Sequence, residues 1–146
     1  AEHQGRKCFL LLPLCPVYGL GMLAVLALPE SWTAGGRLIV SGGLAATVVE
    51  YGVHWAYDTL LGVRFWDYSR TFGNLRGRVC LPFTLIWGLL TAVTVWWIHP
   101  TVEALAARTI PEVTLLCLLV FTVDGLCSLR LLWVTGNPER LRADWA

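Results

Sequence analysis

The sequence predicts an all-α protein: a polytopic membrane helix bundle with four transmembrane helices, forming a single domain over residues 1–146. Two features of composition support this. Of the 146 residues, 56% are hydrophobic and only 14% are charged, whereas a soluble domain carries about a quarter of its residues as charged side chains. The apolar residues also fall into four runs, each near the ~20 residues that cross ~30 Å of hydrocarbon.

The predicted spans are residues 9–28, 38–57, 79–98 and 113–134, followed by a polar tail of residues 135–146. The first span contains Pro13 and Pro16, so we expect a kinked or broken helix, because proline removes a backbone donor and clashes with the preceding turn. Gly42 and Ala46 in the second span allow another helix to approach closely. The third span is predicted to close at His99–Pro100, before a short external connection.

The distribution of positive charge predicts the orientation of the chain. Nine of the eleven Lys and Arg residues fall on one side of the predicted spans, while Arg37 and Arg108 fall on the other. By the positive-inside rule, both termini and the loop of residues 62–78 face the cytoplasm. The net charge of +1 suggests no nucleic-acid partner.

The segment of residues 62–78 interleaves arginines with aromatic side chains and also contains Asp67 and Asn74. This mixture predicts a cytoplasmic loop or short helix at the level of the lipid headgroups. It is also typical of single-stranded nucleic-acid binding, but the flanking spans favour the membrane surface. Asp67 either forms an ion-pair network with Arg64 and Arg70 or is a solvated interfacial charge.

Glu50, His54 and Asp58 share one face of the second predicted helix at a spacing of four residues. Their axial spread of ~12 Å is too long for one metal ion to bind all three, so neither a metal site nor a cofactor is predicted. Glu50 lies within the predicted hydrocarbon, either protonated or bonded to an Arg, Tyr or Trp donor. It is either a helix–helix hydrogen-bonding group or a carboxylate that binds substrate, ion or proton. His54 adds a group that titrates near neutral pH, unless it is simply solvated.

Asp124 is the second acidic residue within a predicted span. It shares a helix face with Cys117, Phe121 and Ser128. Asp124 either lies opposite Glu50 across a shared polar interior or pairs with an arginine from the cytoplasmic loop.

No catalytic motif is present, and no ATP-binding loop occurs in the sequence. Three functions therefore compete. A permease predicts a water-accessible polar cavity around Glu50, and a membrane scaffold predicts that every buried charge is paired and that no cavity exists. An intramembrane enzyme acting on a lipid or quinone predicts an apolar pocket that ends at a carboxylate. We place the permease first and the enzyme last.

The sequence resembles the ABC-transporter permease family called CmpB-like, or ABC-transporter type IV, a group of small bacterial membrane proteins. The resemblance covers roughly residues 5–99 and is carried by five motifs: Pro16 to Gly21, Glu50–Tyr51, Trp66-Asp67-Tyr68-Ser69, Asn74 to Leu81 and Trp87–Gly88. It implies a lipid-embedded transporter component of the inner membrane that acts as a homo-oligomer or with other membrane subunits, and with a separate ATPase. It marks Glu50, Tyr51, Trp66, Asp67, Asn74 and Arg78 as shared positions to test. Family members usually carry a further hydrophobic segment before the motif at residues 6–21.

Overall fold

The computed structural model describes residues 15–136, which are helical except for their connecting segments. The helices are α1 (Pro16–Leu26), α2 (Glu30–Thr33), α3 (Arg37–Ala56), α4 (Leu81–Val93), α5 (His99–Ala107) and α6 (Pro111–Thr135). A π-helical turn, Tyr57–Leu61, extends α3, and a second, Thr94–Ile98, joins α4 to α5. Apart from an isolated β-bridge between Leu75 and Val79, this part of the chain forms no strand. The all-α prediction is confirmed here.

Two helices are long and apolar enough to cross a bilayer. They are the continuous helix Leu81–Ala107 and α6, whose most apolar 18-residue segments have mean hydropathies of 1.7 and 2.0. Only 17% of each segment is buried, whereas the core helix of a soluble protein is mostly buried. Their exposed faces are rich in leucine, as is expected of helices that cross a membrane.

The described residues of the other two predicted spans form helices, but these do not meet the same criterion. The described helix of the first span is 11 residues long. The second is 20 residues followed by a five-residue π turn, and its glycines and polar side chains lower its hydropathy. The structure thus supports two spans by length and composition rather than four.

Within the predicted first span, Cys15 is extended and helix α1 begins only at Pro16, from where it runs uninterrupted to Leu26. The described residues thus show the helix interrupted at Cys15–Pro16 and not within residues 16–26. Pro16 stands in the first turn, where an N–H has no helical partner and the fixed φ of proline suits the helix. Proline therefore begins this helix instead of bending it. Pro13 lies outside the described residues, as do the rest of the first span before residue 15, Arg6, Lys7 and the tail after residue 136.

The prediction that the third span closes at His99–Pro100 is also wrong, because the helix continues to Ala107. In a regular α-helix, the ring of Pro100 would clash with the carbonyl group four residues earlier. The preceding π turn relieves this conflict, since the N–H of His99 bonds to the carbonyl oxygen of Thr94, five residues back. Only residues 108–110 then separate this helix from α6.

Helices α3 and α4 form the closest contact of the bundle. A Cβ added at Gly88 would collide with the carbonyl oxygen of Ile39, and one added at Gly43 would stand 2.8 Å from the carbonyl oxygen of Thr84. Gly42 likewise faces Thr91, where an added Cβ would lie 2.5 Å from a methyl carbon. The close approach predicted at Gly42 is confirmed, and α4 is the helix that makes it.

The segment that connects α3 to α4, residues 62–80, enters the bundle, and we call it the inserted loop. Val63, Phe65, Trp66 and Tyr68 are buried and pack with Cys80 and Leu132 in one hydrophobic cluster. Its outer turn is exposed, with Phe72 79% accessible, and so are Arg64 and Asp67 of the inner half. The inner half of the loop is thus packed between helices, because its apolar side chains are removed from the surface there. Its level along the lipid headgroups stays a prediction.

Candidate functional site

Glu50 is the buried acid on α3, with 6% of its surface exposed. The hydroxyl of Tyr68 donates a hydrogen bond to its Oε1 over 2.9 Å. The indole Nε1 of Trp87 donates to its Oε2, also over 2.9 Å. Both donors are of the types expected from the sequence. Each carboxylate oxygen thus accepts a hydrogen bond from an aromatic side chain, which fixes the orientation of the carboxylate.

The Glu50 carboxylate stands on the wall of a cavity of about 340 Å³ between α1, α3, α4 and the inserted loop. This volume lies within the ~300–1,000 Å³ typical of small-molecule sites. Five aromatic side chains line it: Tyr18, Trp66, Tyr68, Phe83 and Trp87. Glu50 is the only acidic residue among the described lining residues, and none of them is basic.

The aromatic rings form two pairs that flank the carboxylate. Tyr18 and Trp87 are tilted at 54° with centroids 5.6 Å apart. Tyr68 and Phe83 are stacked, with centroids 4.9 Å apart and an interplanar angle of 21°. Since Trp87 and Tyr68 are also the two donors to Glu50, each pair is held beside the acid by a hydrogen bond.

Trp66 and Tyr68 are oriented by bonds that close the inserted loop on itself. The indole N–H of Trp66 donates to the carbonyl oxygen of Arg78 over 2.9 Å. The backbone N–H of Tyr68 donates to the carbonyl oxygen of Gly77 over 2.8 Å. The loop is therefore fastened at the two residues that bring its aromatic side chains to the cavity.

Asn74 holds the outer turn of the loop. Its side-chain amide donates to the carbonyl oxygens of Ser69 and Thr71, and its carbonyl oxygen accepts from the N–H of Gly77. Gly77 has φ +69°, and an added Cβ would lie 2.5 Å from Oδ1 of Asp67. A side chain at this position would therefore be both strained and obstructed.

His54 contacts the loop rather than solvent. Its ring is 1% exposed, and Nε2 is 2.9 Å from the carbonyl oxygen of Trp66. Because a carbonyl oxygen can only accept, Nε2 carries the proton in this bond. Nδ1 has no hydrogen-bond partner within the described residues. The expectation of a solvated histidine is wrong, because the inserted loop folds over this face of α3, and His54 does not line the cavity.

Asp58 and two arginines form ion pairs where α3 meets the loop. Oδ2 of Asp58 is 3.1 Å from the guanidinium of Arg64 and 3.4 Å from that of Arg78. The hydrogen bond from Arg64 lowers the pKa of Asp58 below its ordinary value. Arg78 also donates to the hydroxyl of Tyr51 over 2.9 Å. Tyr51 thus supports the loop, not the cavity.

Asp67 does not form the ion-pair network considered with Arg64 and Arg70. Its Oδ1 accepts the backbone N–H of Ser69 over 2.9 Å, and this bond lowers the pKa of Asp67. Arg64 pairs with Asp58 instead. The turn at Asp67 directs its carboxylate towards the backbone of the loop and not towards the arginines.

Asp124 is buried on α6, where its Oδ1 accepts a hydrogen bond from the hydroxyl of Ser128 over 3.0 Å. One of the two alternatives drawn from the sequence places Asp124 on a polar interior shared with Glu50, but Asp124 is not among the described residues that line the Glu50 cavity. The buried face of α6 continues from Ser128 to Leu132, whereas Cys117 and Phe121 are exposed. The hydrogen bond from Ser128, one turn further along α6, orients the Asp124 carboxylate.

Three cavity residues, Tyr18, Phe83 and Trp87, were not predicted as site residues. Trp87 offered a usable signal, since it lies in the interior of a predicted span and not in the interfacial belt where tryptophan is common. A buried indole N–H needs an acceptor. Within residues 15–136, no group of three or more His, Cys, Asp or Glu side chains is arranged to hold a metal ion.

A family model described as "Putative ABC-transporter type IV" matches residues 1–129, which extends the resemblance seen in the sequence towards the C-terminus. No curated protein and no solved structure matches the chain. The match covers most of the chain, and the two apolar helices agree with a membrane protein related to ABC transporters. On this evidence the chain belongs to the ABC-transporter type IV family.

Proposed function

We propose that the chain is an integral membrane permease, or a membrane subunit of a transporter, whose solute binds beside Glu50. The observation that carries this proposal is the buried Glu50 carboxylate on the wall of a cavity of about 340 Å³. An ionised side chain in the hydrocarbon region costs several kcal/mol unless it is paired. Such residues are therefore rare, and they commonly serve a function. Two aromatic donors support this carboxylate, and an adjoining space of ligand size gives it a role beyond helix packing.

The cavity favours a permease over a scaffold. A scaffold needs no internal space, and its buried charges serve only to join helices. Here the carboxylate stands at the edge of a space enclosed by three helices and the inserted loop. The loop also brings Tyr68 to the site from outside the helical spans, so that movement of the loop can change access to Glu50.

The chain is small for a complete transport path, and we propose that it acts as a homo-oligomer or with other membrane subunits. The outward face of α6 supports this, since Leu115, Leu116 and Leu119 are all more than half exposed and can contact lipid or a neighbouring helix. A separate ATPase would supply energy, as the family name suggests. We place the protein in the inner membrane as a multi-pass protein, with its termini and the inserted loop on the cytoplasmic side.

An enzyme acting on a lipid or quinone is the second candidate. It is favoured by one observation: the cavity wall is largely apolar and ends at a carboxylate. Acid–base chemistry in the cavity would use Glu50 and the hydroxyl of Tyr68, because His54 and Asp124 are not among the described residues that line it. A transport assay separates the two functions.

Membrane vesicles containing the full-length chain and its native partner subunits, supplied with ATP, provide that assay. We would measure uptake of protons with an internal pH dye, and uptake of labelled benzyltrimethylammonium and phenylacetate. We expect flux of at least one probe above that of vesicles without the chain, and its loss in Glu50→Gln. Glu112→Gln, which neutralises an exposed carboxylate at the start of α6, is the matched control. Equal flux in wild type and Glu50→Gln would exclude the carboxylate from transport.

A further inference from the structure

The cavity beside Glu50 has a composition that selects among solutes. We propose that it binds a monovalent organic cation with an apolar body, such as an aryl-substituted or alkyl-substituted ammonium ion, with Glu50 as the counter-ion. This proposal rests on the proposed function, because it names the solute class of the same site. It follows from three features of the wall: its charge, its aromatic faces and its lack of polar ligands.

Charge is the first feature. Glu50 carries the only carboxylate among the described lining residues, and none of those residues is Lys, Arg or His. An anion entering the cavity would meet a carboxylate and would find no cationic side chain among the described residues of the wall. A cation would gain attraction that is strong at a site removed from water. The wall therefore favours positive over negative solutes.

The aromatic faces are the second feature. The negative face of an aromatic ring attracts a cation within about 6 Å of its centroid, and rings grouped in this way recognise quaternary ammonium ions. The Tyr18–Trp87 and Tyr68–Phe83 pairs both line the cavity. Their hydrogen bonds hold Trp87 and Tyr68 at the acid, so a cation bound to the carboxylate would also lie beside aromatic rings.

The scarcity of polar ligands is the third feature, and it argues against small hydrated ions. Besides Glu50 and the two tyrosines, the polar lining side chains are Thr91, Thr94 and the indoles. The hydroxyl of Thr94 already donates to the carbonyl oxygen of Leu90 over 2.7 Å. A metal cation needs several oxygen ligands to replace its water, whereas an organic ammonium ion needs apolar contact and one counter-charge. The cavity supplies apolar contact and one counter-charge.

Two isosteric probes test the proposal directly. Benzyltrimethylammonium and neopentylbenzene have the same shape and differ by one positive charge, and phenylacetate supplies the opposite charge. Binding to the full-length protein in lipid nanodiscs is measured by titration calorimetry and by quenching of tryptophan fluorescence, since Trp66 and Trp87 line the cavity. We expect saturable binding of the cation, about tenfold tighter than that of its neutral isostere, and weaker binding still of phenylacetate.

Glu50→Gln keeps the size of the side chain and should weaken binding of the cation by about tenfold, while changing binding of neopentylbenzene little. Glu112→Gln should bind all three probes as wild type does. If Glu50→Gln does not fold, the comparison of the three probes on wild type still decides the question. Equal affinity for the cation and its isostere, or a preference for phenylacetate, would overturn the proposal.

The transport assay tests the proposed function, and the binding assay tests the proposed solute class, so that either proposal can be rejected without the other. Selective binding of the cation without flux of any probe in the vesicles would overturn the proposed transport function while supporting the ligand class. Glu50-dependent flux of protons or phenylacetate, without selective binding of the cation, would support the permease and reject this solute class.

Discussion

The hydroxyl of Tyr68 lies 2.9 Å from Oε1 of Glu50 and donates a hydrogen bond to it. This bond joins the inserted loop to the middle of α3, and it makes the loop part of the cavity wall. The loop is in turn held by bonds from Trp66 and Asn74 to its own backbone and by the ion pair between Arg78 and Asp58. Residues that resemble the family motif thus share one structural task, which is to hold the loop against the acid.

Replacing Tyr68 by phenylalanine should destabilise the protein by about 1–3 kcal/mol, because a buried carboxylate oxygen loses a donor while the ring remains. Thermal unfolding in detergent, followed by circular dichroism, measures the effect. Tyr18→Phe is the control, since the hydroxyl of Tyr18 makes no hydrogen bond within residues 15–136 and its side chain is 51% exposed. Equal melting temperatures for Tyr68→Phe and wild type would show that the bond contributes nothing to stability.

Replacing Gly88 by alanine should separate α3 from α4 and cost about 1–3 kcal/mol, as overpacking does, because the new Cβ meets the carbonyl oxygen of Ile39. Gly125→Ala is the matched change in α6, where a Cβ would have no neighbour within 4 Å. That control should be neutral or slightly stabilising, since alanine favours helix. Chemical unfolding measures the free energy of unfolding of both variants. An equal change in the two would contradict the packing described for Gly88.

Acid should weaken the junction between α3 and the inserted loop. The hydrogen bond from Arg64 lowers the pKa of Asp58 from 3.8. A carboxyl with a lowered folded-state pKa stabilises the protein above its unfolded-state value and loses that contribution as the pH falls through the folded-state value. Because Asp58 stays ionised near neutral pH, its contribution to stability should be constant there and should decline below about pH 3.8.

The measurement is the melting temperature between pH 7 and pH 3 for wild type, Asp58→Asn and Glu112→Gln. Asp58→Asn should be less stable than wild type at neutral pH, and the difference should shrink in acid. Glu112→Gln, at an exposed carboxylate in the first turn of α6, should follow wild type throughout. A constant difference between Asp58→Asn and wild type at all pH values would refute this assignment.

The orientation expected from the arginines can be checked with a reporter enzyme that is active only outside the cytoplasm. Alkaline phosphatase inserted after Arg76, in the exposed turn of the inserted loop, should be inactive in cells. The same enzyme inserted after Arg108, between the helix Leu81–Ala107 and α6, should be active. Green fluorescent protein, which reports a cytoplasmic position, should give the reverse pattern. Phosphatase that is active after Arg76 and inactive after Arg108 would show that the orientation is the opposite one.

Sequence patterns predicted helices more reliably than they predicted helix ends. Pro100 predicts the end of a span, yet a π turn before it lets the helix continue. Pro16 predicts a kink or a break, and the structure has a helix that begins at this residue. In both cases the effect of proline depends on the hydrogen bonds of the preceding turn, which a run of apolar letters does not specify.

The residues of the site were predicted in part. Glu50 was recognised because a carboxylate in an apolar run requires an explanation, and the structure gives it the kinds of donor that were expected. His54 shares a helix face with Glu50 at a spacing of four residues, and Asp124 is an acid in another predicted span. Neither is among the described residues that line the Glu50 cavity, because the inserted loop covers His54 and the Asp124 carboxylate bonds to Ser128 on its own helix. Spacing along one helix does not specify which segments pack against it.

The sequence by itself determined that this protein is helical and rich in segments suited to a membrane, because hydropathy summed over about 20 neighbouring residues is a local property. It also singled out Glu50, since the cost of placing a charge in hydrocarbon depends on that residue and its immediate run. Only the tertiary structure decided which groups meet the acid. Tyr68 and Trp87 are 18 and 37 residues away along the chain, and the fold of the inserted loop and the glycine contact between α3 and α4 bring them there.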